Sequence, residues 1–268
     1  NHPAQAKPDQ IILTWSGDPK TTQTIQWRTG TGVAKGQVQW VKKSAYNRFQ
    51  PARPKRAKAT TFRMEDANLL NDPVIHRHTA TLTGLEPDTT YLYSVGDGSG
   101  DGWSEMAEFT TAPGRAEPFS FVYMGDAQNG LERWGSLVHN AFRQRPDAAF
   151  YIMAGDLVNR GNERDDWDSL FHSARGIYDR RPVVPAIGNH ENQGGHPGLY
   201  LQMFDLPKNG PEKVEPERAY TFKYSNAEFF VLDSNLTPES QTAWLENALK
   251  TSTATWKFAV FHLPAYSS

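Results

Sequence analysis

Hydrophobic and polar positions are patterned in two different ways along this chain. From residue 10 to about 111, short runs such as QIILTW, TIQWRT, GQVQWV, HRHTATLTGL, TTYLYSVG and AEFTT largely alternate apolar with polar positions, and Gly, Pro, Asp and Thr separate them. That period and spacing predict about seven half-buried strands, as in an immunoglobulin-like or fibronectin III-like sandwich. From residue 119 the period changes. Continuous apolar runs at 119–125, 148–154 and 183–187 alternate with helix-like stretches near 131–145 and 163–178, the mark of βαβ units in an α/β domain. A later strand pair, RAYTFKY and EFFVLDS, precedes a helical PESQTAWLENALK and a last strand within WKFAVFHLPAYSS. The expected organisation is an all-β sandwich over 1–111, a linker over 112–118 (APGRAEP) and an α/β sandwich domain over 119–268.

Each apolar run of the α/β part is set against a polar corner. FSFVYMGDAQ places Asp126, FYIMAGDLVNRG places Asp156, VVPAIGNHE places Asn189 and His190, and the last run places His262. Read as buried parallel strands, the runs deliver these side chains to the carboxyl edge of a sheet, where ligand sites gather. Two carboxylates, an amide and two imidazoles, in a chain with no cysteine, suit hard or borderline metal ions. Phosphoester hydrolysis needs a hydroxide at neutral pH and neutralised phosphoryl oxygens, and a pair of ions supplies both. In that scheme Asp156 bridges the ions, Asp126 is terminal on one, and Asn189 and His262 serve the other. His190 is placed to protonate the leaving alcohol or to bind phosphate.

Bulk properties narrow the field. With 268 residues, 38% hydrophobic and 12% aromatic, the chain is long enough for one large or two ordinary folded domains. A net charge of -2 argues against a general nucleic-acid or membrane-surface binder, and no window approaches the ~20 apolar residues of a membrane span. The absence of cysteine excludes disulfides and thiolate chemistry. Asn rather than Met at position 1 fits removal of either a leader or some other upstream segment, and the expectation taken from it is an exported protein, periplasmic or extracellular. Oligomeric state is not legible.

The ordered set GD, GD with a following RG, GNHE and a strand ending in His resembles the calcineurin-like metallophosphoesterases. The preceding sandwich, with VGDG and WSEMAEFTT before the linker, and the HLPAYSS ending are similar to the purple acid phosphatase branch. The resemblance implies a dinuclear Fe, Mn or Zn centre, a small phosphate-ester substrate and phosphomonoester hydrolysis by attack of a metal-bound hydroxide. Three departures stand out. Where that branch has the Tyr that ligates ferric iron and gives the colour, this chain has Asn159. Where many members carry a His ligand, it has Gln128, which either ligates through its amide oxygen or makes hydrogen bonds behind the ligands. The Gly-His-x-His motif that closes the family's site is not present before Ser268. Truncation of a longer protein is the favoured explanation, and the 268 residues alone are expected to hold metal weakly and turn over little.

Other residues carry paired readings. Arg160, in GDLVNRG, either clamps substrate phosphate or pairs with Glu163 or Asp165. His196, on a Gly-rich loop, is a candidate for lining the substrate cleft. His76 and His78 should share one strand face as surface imidazoles, while His139 and His172 belong to helices. Trp134, Trp167 and Trp244 are expected in the core. The acid-free basic stretch from Lys42 to Lys58 is read as a solvated loop, against a collar for a polyanion; Asn235-Leu236-Thr237 matches a glycosylation sequon. Two other functions remain open: a phosphodiesterase on the same core, and a non-catalytic binding or adhesion protein with a degenerate metal site.

Overall fold

The computed structural model describes residues 2–47, 53–264 and 266. Among the described residues, eight strands form the first unit: β1 (Asp9–Thr14), β2 (Gln23–Thr29), β3 (Gln37–Lys42), β4 (Lys55–Lys58), β5 (Thr60–Glu65), β6 (Val74–Leu82), β7 (Thr90–Gly96) and β8 (Ala107–Thr110). They make two antiparallel sheets, ordered β1-β2-β6-β5 and β4-β3-β7-β8. The inward positions of both sheets, among them Leu13, Ile25, Trp27, Val38, Tyr93 and Phe109, close on one core, as alternation requires.

Alternation alone does not account for β2. Its apolar positions Ile25 and Trp27 face the sandwich core, yet its polar positions are buried as well. Gln26 accepts from the Asp205 N–H at 2.9 Å and Arg28 pairs with Asp168 at 3.0 Å, so the outer face of this sheet is packed against the second unit. Ile12, Trp15, Met64 and Ile75 join the second unit's core from the same sheet. Burying a side chain such as Ile12 or Trp15 is worth about 2–3 kcal/mol, so the junction contributes substantially to stability.

The second unit has β9 (Val122–Met124), α1 (Leu131–Gln144), β10 (Tyr151–Ala154), α2 (Arg164–Ser173), β11 (Val183–Ala186), α3 (Gly198–Met203), β12 (Tyr220–Tyr224), β13 (Ala227–Val231), α4 (Glu239–Thr251) and β14 (Trp256–Val260). One sheet is parallel and ordered β11-β10-β9; the other, β12-β13-β14, joins an antiparallel hairpin to a parallel third strand. Pro185 sits on the edge strand β11, where its missing N–H costs no ladder bond, and its carbonyl accepts from the hydroxyls of Tyr200 at 2.8 Å and Tyr220 at 2.7 Å. Between the sheets the rings of Phe121, Phe150, Phe222 and Phe229 stack edge and face at 4.8–5.6 Å.

Several expectations are corrected here. The last apolar run does not join the other three in one sheet: β14 lies beside β13, and its Trp256 is 60% and Phe258 36% exposed rather than buried. The basic stretch is strand at its two ends, Lys42 closing β3 and Lys55–Lys58 forming β4. Lys55–Lys58 pairs with β3 as a sheet edge, where lysines discourage further pairing. Lys42 bonds Glu86, Lys43 bonds Glu108, and Arg56 lies over the Trp103 ring; Arg48 falls outside the described residues. His78 is not a surface imidazole. It is fully buried beside Trp27, with Thr29 and Thr61 hydroxyls 2.8 Å from its two nitrogens, while His76 shares its face as expected. Trp134 and Trp167 are buried, whereas Trp244 is only partly so and donates to the Asn209 carbonyl.

Candidate metal centre

The strand-end corners converge on one point, and the corner after β10 is its hub. The Asp126 N–H donates to the Gly155 carbonyl at 3.1 Å and the Gln128 N–H to the Asp156 carbonyl at 3.2 Å, which stitches the corner after β9 onto it. The His190 N–H donates to Asp156 Oδ1 at 3.0 Å, which brings in the corner after β11. From the other sheet, His262 donates Nδ1–H to the Ala154 carbonyl at 2.9 Å. Asp126 and Asp156 both hold φ near 53°, a left-handed conformation that non-glycine residues adopt at a cost. A Cβ on Gly155 would sit 2.6 Å from His262 Cβ, and one on Gly188 would collide with Asp156 Oδ1 and N. Close approach of the corners therefore demands glycine at both positions.

Ligand atoms of Asp126, Asp156 and His262 lie within 4.8 Å of one another. Asp156 is 3% exposed, whereas Asp126 and Asn189 are open to solvent. His262 Nε2 is 3.3 Å from Asp156 Oδ1 and 3.1 Å from Asn189 Oδ1. With the Nδ1 proton committed to a carbonyl, a neutral ring turns its Nε2 lone pair toward a carboxylate, an arrangement that a cation relieves. Gln128 donates to Asp156 Oδ2 at 3.0 Å while its own Oε1 is buried with no hydrogen-bond partner. An orphaned buried oxygen and a misdirected imidazole lone pair beside two carboxylates fit a bound metal ion.

His190 is half-buried at the rim. It donates Nδ1–H to the Asn159 carbonyl at 2.6 Å, leaving Nε2 3.7 Å from Asp156 Oδ2. The structure does not bring every sequence candidate to this cluster with a free side chain. Arg160 donates both its backbone N–H and its guanidinium to Asp166. His196 is exposed and bonds Glu215 at 2.9 Å. Asn235 commits its amide nitrogen to the Asp233 carboxylate at 2.8 Å and the Gly188 carbonyl at 3.2 Å, so the sequon nitrogen is engaged beneath the Gly188 corner.

The residue that sequence reading passed over is Glu191, although GNHE contains it. Its carboxylate, 1% exposed, accepts four backbone N–H groups, from Asp156, Leu157 and Gly188 at 2.8 Å and Val158 at 3.2 Å. Burial pushes its carboxyl up to about 7 against the pull of those donors. Behind it, Arg218 pairs with the buried Asp233 and donates to Asn192 Oδ1 at 3.1 Å.

Comparison with known proteins matches this architecture. Residues 119–268 match the calcineurin-like phosphoesterase family model, and residues 8–111 match the purple acid phosphatase N-terminal domain. Purple acid phosphatase 23 of Arabidopsis thaliana is 24% identical over 97% of this chain and 66% of its own length; probable inactive purple acid phosphatase 1 of the same plant is 26% identical over 68% and 33%. The purple acid phosphatase PPD1 of yellow lupin shares the fold with a TM-score of 0.77 at 19% identity, over 96% of this chain and 51% of that one. The chain thus spans between a third and two thirds of the length of these relatives. With the metallophosphoesterase match covering more than half of the residues, the chain belongs to the calcineurin-like phosphoesterase family, joined to a purple acid phosphatase N-terminal domain.

Proposed function

We propose that this chain carries the substrate-facing core of a metal-dependent phosphoric monoester hydrolase. The observation that carries the reading is the convergence of Asp126, Asp156 and His262, with the buried Gln128 oxygen left without a partner. In this proposal Asp126, Asp156, Gln128, Asn189 and His262 would hold the ions, drawn from Fe, Mn and Zn. When bound, such ions supply charge neutralisation for the phosphoryl oxygens and acidify water. His190, its Nδ1–H held by the Asn159 carbonyl, keeps Nε2 toward the cleft, and with both nitrogens protonated it would pass the Nε2 proton to the departing alcohol and be left as the neutral ring. The Ala154 carbonyl orients His262, and Gln128 steadies the Asp156 carboxylate. Arg160 reaches a phosphate only by exchanging its Asp166 partner, and His196 lines the outer cleft.

The test is hydrolysis of nitrophenyl phosphate against bis-nitrophenyl phosphate by the gene product that carries this chain, with Mn, Fe or Zn supplied. Monoester turnover that Asp156→Ala removes is expected. Preference for the diester would transfer the proposal to a phosphodiesterase. Since two similar proteins are named probable inactive purple acid phosphatases, metal uptake without hydrolysis of either ester would favour a binding role.

A further inference from the structure

The four corners come from separate strands in two sheets, so some element must hold them in mutual register. Backbone bonds stitch the Asp126 corner to the Asp156 corner, but none of that kind joins Gly188 or Asn189 to residues 154–156. Two side chains make that link: Asp156 Oδ1 accepts the His190 N–H at 3.0 Å, and Glu191 binds backbone N–H groups of both corners. Glu191 Oε2 accepts the Asp156 N–H and the Gly188 N–H, each at 2.8 Å, while Oε1 accepts those of Leu157 at 2.8 Å and Val158 at 3.2 Å. A single carboxylate oxygen therefore spans the second and third corners, and its companion clamps the turn that follows Asp156.

The geometry points to Glu191 as a positioning residue that fixes the spacing between Asp156 and Asn189 by binding both corners through one carboxylate. Three observations support this. Asp156 stands in a left-handed conformation that its own sequence does not favour, and the three successive N–H groups from Asp156 to Val158 all turn inward to the same acceptor. Gly188 approaches Asp156 so closely that no Cβ fits between them. Glu191 is shielded from water, so its four bonds have no solvent substitute. The arrangement has the shape of an anion-binding nest whose anion is supplied by the chain itself.

Replacement chemistry makes the inference sharp. A Gln at 191 keeps the volume but has only one acceptor oxygen, so its NH2 end must face either the pair from Asp156 and Gly188 or the pair from Leu157 and Val158. An Asp keeps the charge but falls one methylene short of both corners. The inference rests on the proposed metal site for its functional meaning, and the experiment separates the two. Amide hydrogen exchange on the metal-free 268-residue chain should show protection at 156–158 and at 188 falling together, about tenfold or more, in Glu191→Gln. Mn²⁺ titration of the same variant should show affinity lower by roughly 10–100-fold, the range expected when a partner behind the ligands is lost.

Phe222→Leu, in the ring cluster between the sheets, is the stability control. It should lower the melting temperature while leaving corner exchange and Mn²⁺ affinity within about twofold. The inference is overturned if Glu191→Gln changes exchange at neither corner or at only one. It is equally overturned if Phe222→Leu weakens Mn²⁺ binding as much as Glu191→Gln does. Should the unsubstituted chain take up no Mn²⁺, the metal reading falls on its own, and the exchange arm still decides the role of Glu191.

Discussion

At the junction between the sandwich and the α/β layers, Arg28, Arg77 and Arg164 lie buried beside Asp168, with Asp9 and Asp72 at the margin. At the corner cluster, Asp126 and Asp156 stand together, and among the described residues no Lys or Arg pairs with either. The junction is compensated from within: Arg164 caps onto Asp66 through its N–H, Arg77 donates to the Met203 carbonyl, and Gln10 bonds Asp168 at 2.7 Å. Burial lowers the Arg77 guanidinium to about 10, which still leaves it charged at neutral pH. The corner cluster instead leaves negative charge and lone pairs unanswered. The junction sets guanidinium against carboxylate, although Arg28 Nη1, Arg77 Nε and Arg164 Nη1 have no hydrogen-bond partner, whereas the corner cluster sets two carboxylates together with no Lys or Arg beside them among the described residues.

Removing one member of each cluster should break that symmetry most visibly. Asp168→Ala strips Arg28 and Arg164 of a shared partner, and orphaning buried charges in this way costs about 3–5 kcal/mol. Urea unfolding is expected to show that loss in a single transition, because the cores of the two units are continuous across the junction. Asp126→Asn, on an exposed corner, should stay within about 0.5 kcal/mol of the parent while Mn²⁺ affinity drops. Equal stability losses in the two variants would remove the distinction between the two clusters.

His78 tests the same distinction with a buried group that must stay neutral. Burial, with smaller contributions from His76 and Arg77, lowers its pKa from 6.5 to about 4. The folded form therefore binds fewer protons than the unfolded form between those values, and stability falls as pH drops through that window. The full shift corresponds to about 3 kcal/mol. It is present above pH 6.5 and fully lost below pH 4. Unfolding free energies of the parent and His78→Phe across this range should differ in slope, and parallel lines would refute the assignment.

A smaller loss should expose how tightly the corners are packed. Gly188→Ala places a methyl against Asp156 Oδ1 and N, and overpacking of this kind costs about 1–3 kcal/mol. Gly84→Ala is the comparator, since its φ of 65° is left-handed but nothing lies within 4 Å of the added carbon. Its cost should be the backbone preference alone, about 1–2 kcal/mol, with Mn²⁺ binding untouched. If both variants bind Mn²⁺ like the parent, contact between the corners does not control the site.

Much of this was legible because strand-end chemistry is local. A GD or GNH corner after an apolar run names candidate ligand types and places them at a strand end, and period-two runs announce the sandwich. What escaped was set by distant packing. The polar face of β2 looks solvent-facing until Asp168 and Asp205 arrive from the other unit. Alternation placed His76 and His78 on one face, but only the fold shows which side of the sheet is covered and so buries His78. β14 has the composition of a core strand, yet its neighbours leave Trp256 and Phe258 exposed. Glu191 follows two candidate ligands, and its role lies in amides 33–35 residues earlier that no local pattern links to it.

The smallest energetic effect carries the most specific signature. Asn159 lies three residues beyond Asp156 with an exposed side chain, and its contribution to the cluster is its backbone carbonyl, which holds His190 Nδ1. Asn159→Tyr leaves that carbonyl in place and adds a phenol at the rim, so stability should move by no more than about 0.5 kcal/mol. A phenolate coordinated to ferric iron produces a visible charge-transfer band that an amide cannot produce. Ferric-loaded parent protein is therefore expected to be colourless in that region and the variant coloured, as read by absorption before and after chelation. Colour in the parent would place a different phenol on the metal. A colourless, iron-loaded variant would show that residue 159 does not reach the bound iron.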